Sequence, residues 1–166
     1  MSQLDLAVQQ LEFARGYTLR LLESVSDDEW FRQPHEGVTH IAWQIGHLTM
    51  ADYRLGMERL RGARPEDEVL IPQRVLSLFR GATMPDPNPA KYPSPQELRG
   101  YLKRVRAQML AEVRHLPEEE WSKPLLQTHP IAKTKLESLF WCGHHELVHA
   151  GQVGLLRRLL GHQPLW

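Results

Sequence analysis

Residues 136–160, LESLFWCGHHELVHAGQVGLLRRLL, constrain this chain more than any other stretch. The segment holds no proline, and its apolar spacing predicts a helix of about seven turns. Thr134 and Glu137 form a capping box ahead of it, and Gly161 stands where a C-cap glycine belongs. At about 100° per residue, Trp141, Cys142, Val148, Val153, Leu156, Leu159 and Leu160 share one broad face, with His145 and His149 in its middle. Histidines four apart leave a helix on one side, so their rings can converge on a single point. Two imidazoles buried in an apolar stripe must each find a partner. A shared metal ion would serve both. The pair alone is weak evidence, because nine histidines in 166 residues produce such spacings by chance.

The length suits one domain over residues 1–166 with a sizeable core. Twenty basic and twenty acidic residues balance to a formal charge of zero, which removes the electrostatic case for nucleic acid or an anionic membrane as partner. The lone cysteine, Cys142, excludes an internal disulfide and fits a reducing compartment. The start of the chain is amphipathic rather than a basic region followed by an apolar run, and no uncharged stretch approaches the roughly 18 residues of a membrane span. A cytoplasmic location is the expectation.

Three further helices can be read. Over residues 2–26, Leu4, Ala7, Leu11, Ala14, Thr18, Leu21 and Val25 alternate steps of three and four, the seam of a helix bundle, widened by Phe13 and Tyr17. Ser26 caps a short acidic turn after it. Residues 40–60 form a second helix with Thr39 as the expected N-cap. Ile41, Ile45, Leu48 and Leu55 line one face; Trp43, His47, Met50 and Met57 line the other, and Arg54 follows His47 by two turns on the same side. A helix apolar on two sides is enclosed, so His47 should point inward. Residues 95–116 make the third, opened by Ser94, Pro95 and Glu97 and buried along Leu98, Leu102, Val105, Met109, Val113 and Leu116. Glu112 at its edge reads as a solvated flank residue. The connection over 61–93 holds the apolar piece VLIPQRVLSLF and a proline-rich end, and is long enough to let the second and third helices lie parallel. A short repeat links LLESVSDDEW (21–30) with VRHLPEEEW (113–121), each leading to a helix with tryptophan and histidine.

An inward His47 beside His145 and His149 makes three imidazole nitrogens, the ligand count of a catalytic site with an open position. The set suits Zn²⁺, Ni²⁺, Fe²⁺ or Co²⁺. Cys142, one turn before His145, could add a fourth ligand, but small buried cysteines are commonly core residues. His35, His40, His115, His129, His144 and His162 read as surface or capping residues.

With W-Q-I-G-H-L (43–48) on the second helix and H-E-L-V-H-A-G-Q (145–152) on the fourth, the chain resembles the DinB-like superfamily over nearly its whole length. The resemblance implies an all-α four-helix bundle with a long crossover between helices 2 and 3. It also implies a metal held by His47, His145 and His149, and frequent homodimers. Some relatives are thiol transferases that use a low-molecular-weight thiol such as bacillithiol or mycothiol. One branch isomerises maleylpyruvate with a carboxylate in place of one histidine, and the all-histidine set here departs from it.

Two readings remain open on the sequence. One is a metal-dependent enzyme of thiol S-transferase or hydrolase type acting on a small molecule, with Arg54 and Trp43 as candidate substrate contacts. The other is a non-catalytic bundle, with or without metal, acting as a stress-related binding module. Glu146 follows His145 directly but lies about 100° round the helix, and the sequence supplies no obvious general base beside the three histidines. Opposite the histidine face run Gly143, Leu147, Ala150 and Gly154, with Gly151 close by. A glycine inside a helix costs about 1 kcal/mol relative to alanine, so close approach of another backbone is expected there. That neighbour is either a helix of the same chain or the partner in a two-fold homodimer.

Overall fold

In the computed structural model, which describes residues 1–165, three long helices begin with one local device. The side chains of Ser2, Ser94 and Thr134 accept a backbone N–H three residues on, while Asp5, Glu97 and Glu137 accept the cap's own N–H. Each box satisfies two donors that a helix start leaves open. The element order is α1 (Gln3–Leu22), α2 (Ile41–Tyr53), α3 (Arg59–Arg61), α4 (Asp67–Leu70), α5 (Gln73–Leu78), α6 (Pro95–Val113) and α7 (Lys135–Leu159), with a π-helical turn (Arg54–Glu58) joining α2 to α3. The fold is all-α; no β-strand occurs among the described residues.

The directions of the long helices follow from pairs of touching residues. Gly143 packs on Gln10, Glu146 bonds Arg15 and Gly154 packs on Leu21, so α1 and α7 run parallel. Asp52 bonds Arg106 and Arg61 bonds Glu112, so the α2–α3 rod runs parallel to α6. Cys142 meets Asp52 and Ser138 meets the Leu55 carbonyl, which sets α7 antiparallel to α2. The central element is α2: every residue from Ile41 to Tyr53 is buried, Gln44, His47, Thr49 and Asp52 included. The long connection packs back onto its start. Phe79 is fully buried, and Tyr92 stacks on Phe79 and Phe31 and meets the His40 ring edge-on.

The short repeat has a structural counterpart. Asp27–Glu29 and Glu118–Glu120 each form a 3-10 turn, and each leads to a buried tryptophan, Trp30 and Trp121. No described helix is long and apolar enough to cross a membrane.

Several expectations need correction. The cap of α2 is His40, whose Nδ1 accepts the Trp43 N–H at 3.1 Å. A ring nitrogen reaches that amide, and the Thr39 hydroxyl accepts instead from the Gln44 side chain at 3.1 Å. Phe13 is 68% exposed, and Val148 and Leu159 are about half exposed, because α1 and α7 bury narrower stripes against each other than their apolar faces allow. Glu112 is no solvated flank residue: it accepts from Arg61 Nε at 2.7 Å, and Arg61 also grips Asp67. The small-residue stripe of α7 does not look outward. Ala150 is fully buried, and a Cβ on Gly143 would stand 3.3 Å from Gln10, so this stripe is where α1 approaches.

Candidate metal centre

Three imidazoles converge where α2 and α7 pass each other. His47 Nε2 lies 3.3 Å from His145 Nε2, and His145 Nε2 lies 3.1 Å from His149 Nε2. Hydrogen bonding settles the tautomers of two rings. His47 Nδ1 donates to the Phe79 carbonyl at 2.8 Å, and His149 Nδ1 donates to Gln44 Oε1 at 2.6 Å. Their Nε2 atoms therefore carry lone pairs, aimed at the same point as His145 Nε2. The His145 ring has no partner on Nδ1, so its Nε2 either gives a proton to one of these two acceptors or joins them as a third around a cation. A tetrahedral ion with metal–nitrogen bonds of about 2.0–2.1 Å holds its ligand atoms about 3.3 Å apart. The two spacings to His145 Nε2 match that requirement, and all three ligand atoms lie within 4.8 Å of one another. A second set of bonds fixes two of the rings from behind, as metal-ligating histidines usually require. The residues present fit a divalent metal ion.

The electrostatics agree with neutral rings. Burial is the main cause for all three: it holds His47 below its ordinary value, His145 at about 4 and His149 at about 3, with repulsion between the neighbouring rings adding to the last two. His47 and His149 are nearly closed off from solvent, while His145 is partly exposed, so the cluster opens on the His145 side.

Why these side chains meet has a local and a distant part. His145 and His149 share a face of α7 by helical period. His47 reaches them because Gly46, its neighbour, makes room for the Phe79 ring that brings the carbonyl to His47 Nδ1. Trp43 lies flat on the opposite side of His47, with centroids 4.8 Å apart and planes 11° apart, and donates its indole N–H to Thr83 at 3.0 Å. Arg54 lies farther along the same side of α2, with Nε 4.0 Å from Glu58. Cys142 is not drawn into the cluster. Its thiol meets Asp52 at 3.2 Å, and burial pushes its pKa well up.

Sequence reasoning missed two layers. Gln44 and Phe79 hold the ligands from behind; Gln44 could have been found, since it stands three residues before His47 within W-Q-I-G-H. A buried ion quartet lies beneath the rings, with one member from each long helix. Arg15 donates to Glu146 and Asp52 at 2.7 and 2.8 Å, and Arg106 donates to Asp52 at 2.7 Å and also to Glu146. Among the described residues no carboxylate joins the three rings. Both quartet carboxylates are taken up by arginines, which leaves no free base at the site.

The sequence matches the profile of the DinB superfamily over residues 10–153. The chain belongs to the DinB superfamily. A solved structure, that of a conserved protein of locus from Enterococcus faecalis, aligns with a TM-score of 0.72 at 19% identity, covering 98% of this chain and 99% of that one. That likeness shows the fold alone. No curated protein matches the chain.

Proposed function

We propose that His47, His145 and His149 bind one divalent metal ion, zinc or nickel before iron or cobalt, and that the chain is a metal-dependent enzyme of thiol S-transferase or hydrolase type. The observation that carries this reading is the convergence of three Nε2 atoms, two of whose rings have their protons committed elsewhere. Bound there, the ion would lower the pKa of a thiol or water and supply a nucleophile at neutral pH. The protein's own part is to keep the rings neutral by burial, to orient them through Phe79 and Gln44, and to leave access beside His145. The absence of a free carboxylate favours a nucleophile that needs no protein base, and a low-molecular-weight thiol fits that need.

In this reading Arg54 holds an anionic group of a small-molecule substrate, and Trp43 contributes from behind His47. A cytoplasmic location accords with the free thiol of Cys142. The same lack of a base favours, as second reading, a metal-stabilised bundle that binds without catalysis. Elemental analysis of purified protein, followed by a thiol-dependence assay with an electrophile, separates the two. About one metal per chain with thiol-dependent turnover supports the enzyme; metal without turnover supports the binding module. Full metal content after His145→Ala would sink both.

A further inference from the structure

The π turn at Arg54–Glu58 does something an α-helix could not. Residues five apart on an α-helix are turned about 140° from each other. Here the Arg59 N–H donates to the Arg54 carbonyl, closing a five-residue turn that leaves Arg59 near enough to Arg54 to feel its charge. Arg54 follows His47 by two helical turns, and the charge of Arg54 acts on Arg59 as that of Arg59 acts on His129. Neither guanidinium makes a hydrogen bond among the described residues, and both Nε atoms are buried without a partner. Glu58, 4.0 Å from Arg54, is one carboxylate for two cations. Burial, together with the charge of Arg54 and against that of Glu58, holds Arg59 below the ordinary arginine value.

The neighbourhood adds a third donor. The Leu126 N–H donates to the Arg59 carbonyl at 3.0 Å and ties the 122–134 loop to this turn. In that loop His129 Nδ1 accepts from the N–H groups of Ile131 and Ala132, so its proton sits on Nε2, which makes no bond to the protein. The Trp141 ring connects this group to the metal centre, lying 6.4 Å from the His129 ring and 6.0 Å from His145. Both side chains are only partly buried, Arg54 being 30% exposed, so solvent can reach the guanidinium ends while each buried Nε lacks a partner, which is costly. The planar fork suits carboxylate, phosphate or sulfonate oxygens.

We propose that Arg54, Arg59 and His129 form an oxyanion subsite beside the three histidines, and that the substrate carries a carboxylate or similar group that docks there. Assigning the anion to a substrate rests on the proposed function; the binding itself does not. The oxyanion can belong to the electrophile or to the thiol, and the shared chemistry is the same.

Calorimetric titration tests it, using succinate, mercaptosuccinate and 2-mercaptoethanol on metal-loaded protein, and succinate again on protein stripped with a chelator. Arg54→Gln and Arg59→Gln, checked for helix content by circular dichroism, are compared with Arg32→Gln at an exposed arginine. Succinate should bind saturably with and without metal, and each site variant should weaken it about tenfold or more, while R32Q does not. If mercaptosuccinate weakens in parallel while 2-mercaptoethanol is unchanged, a carboxylate on the thiol docks as well; if only succinate weakens, the site serves the electrophile. Arginine-dependent succinate binding by a protein that takes up no metal would remove the metal reading and leave this one standing. No saturable succinate binding, or binding equal in wild type and both site variants, overturns the subsite.

Discussion

A Cβ placed on Gly46 would fall 2.3 Å from the ring of Phe79. The carbonyl of that same Phe79 accepts from His47 Nδ1 at 2.8 Å. The glycine before the histidine is thus part of how the ligand is aimed. Gly46→Ala should displace the ring, pull the carbonyl from His47 and weaken metal binding by about 10–100-fold, the usual effect of losing an outer partner. Competition with a chromophoric chelator measures it. Unchanged affinity would mean that Phe79 can shift without moving its carbonyl.

Proton competition should begin late at this site. The folded protein holds His145 at about 4 and His149 at about 3, chiefly by burial, against an unfolded value near 6.5. Because the folded values are depressed, the unfolded chain binds more protons between those limits. Metal-free protein should therefore lose stability as pH falls from about 6.5 towards 4. Metal, which needs neutral rings, should stay bound at about pH 5.5 and leave by about pH 3.5. Metal analysis after gel filtration across this range reads the second effect, and retention at the acid end would point to other ligands.

The ion quartet makes a prediction about stability rather than metal. Asp52→Asn leaves Arg15 and Arg106 buried with a single carboxylate, Glu146, between them. Breaking a buried charge network from one side costs about 3–5 kcal/mol, read as a lower urea midpoint at unchanged slope. Asp52 touches none of the three rings, so metal content per folded chain should hold. Wild-type stability in this variant would mean that the neutral amide satisfies both guanidinium groups.

Assembly needs a different face from the one the sequence suggested. Since α1 covers Gly143 and Gly154 of α7 and leaves only Gly151 exposed, a homodimer through α7 would use Val148, Leu155 and Leu159, which are about half exposed and share one line of the helix. Leu155→Glu should then give monomers by light scattering, whereas Gly154→Leu should instead strain the contact with Leu21 and lower stability. A monomeric wild type would leave these three residues as isolated surface apolar groups.

What the sequence alone determined is whatever depends on neighbours along the chain. Capping boxes join residues three apart, and both Ser94–Glu97 and Thr134–Glu137 could be read directly. The pairing of His145 with His149 follows from the helical period, and the inward turn of His47 from a helix apolar on both sides. Tertiary structure decided everything that needs a partner from another element. Helical period says that Gly143, Ala150 and Gly154 share a face, but not whether α1 or a second chain fills it. Arg15, Asp52, Arg106 and Glu146 looked like ordinary charged residues, because a charge is legible as buried only once its counter-ion on another helix is in place. The π turn escaped for a related reason. Its extra residue is set by packing, with Gly56 closing on Met109 across the α6 interface, and no spacing along the chain records that contact.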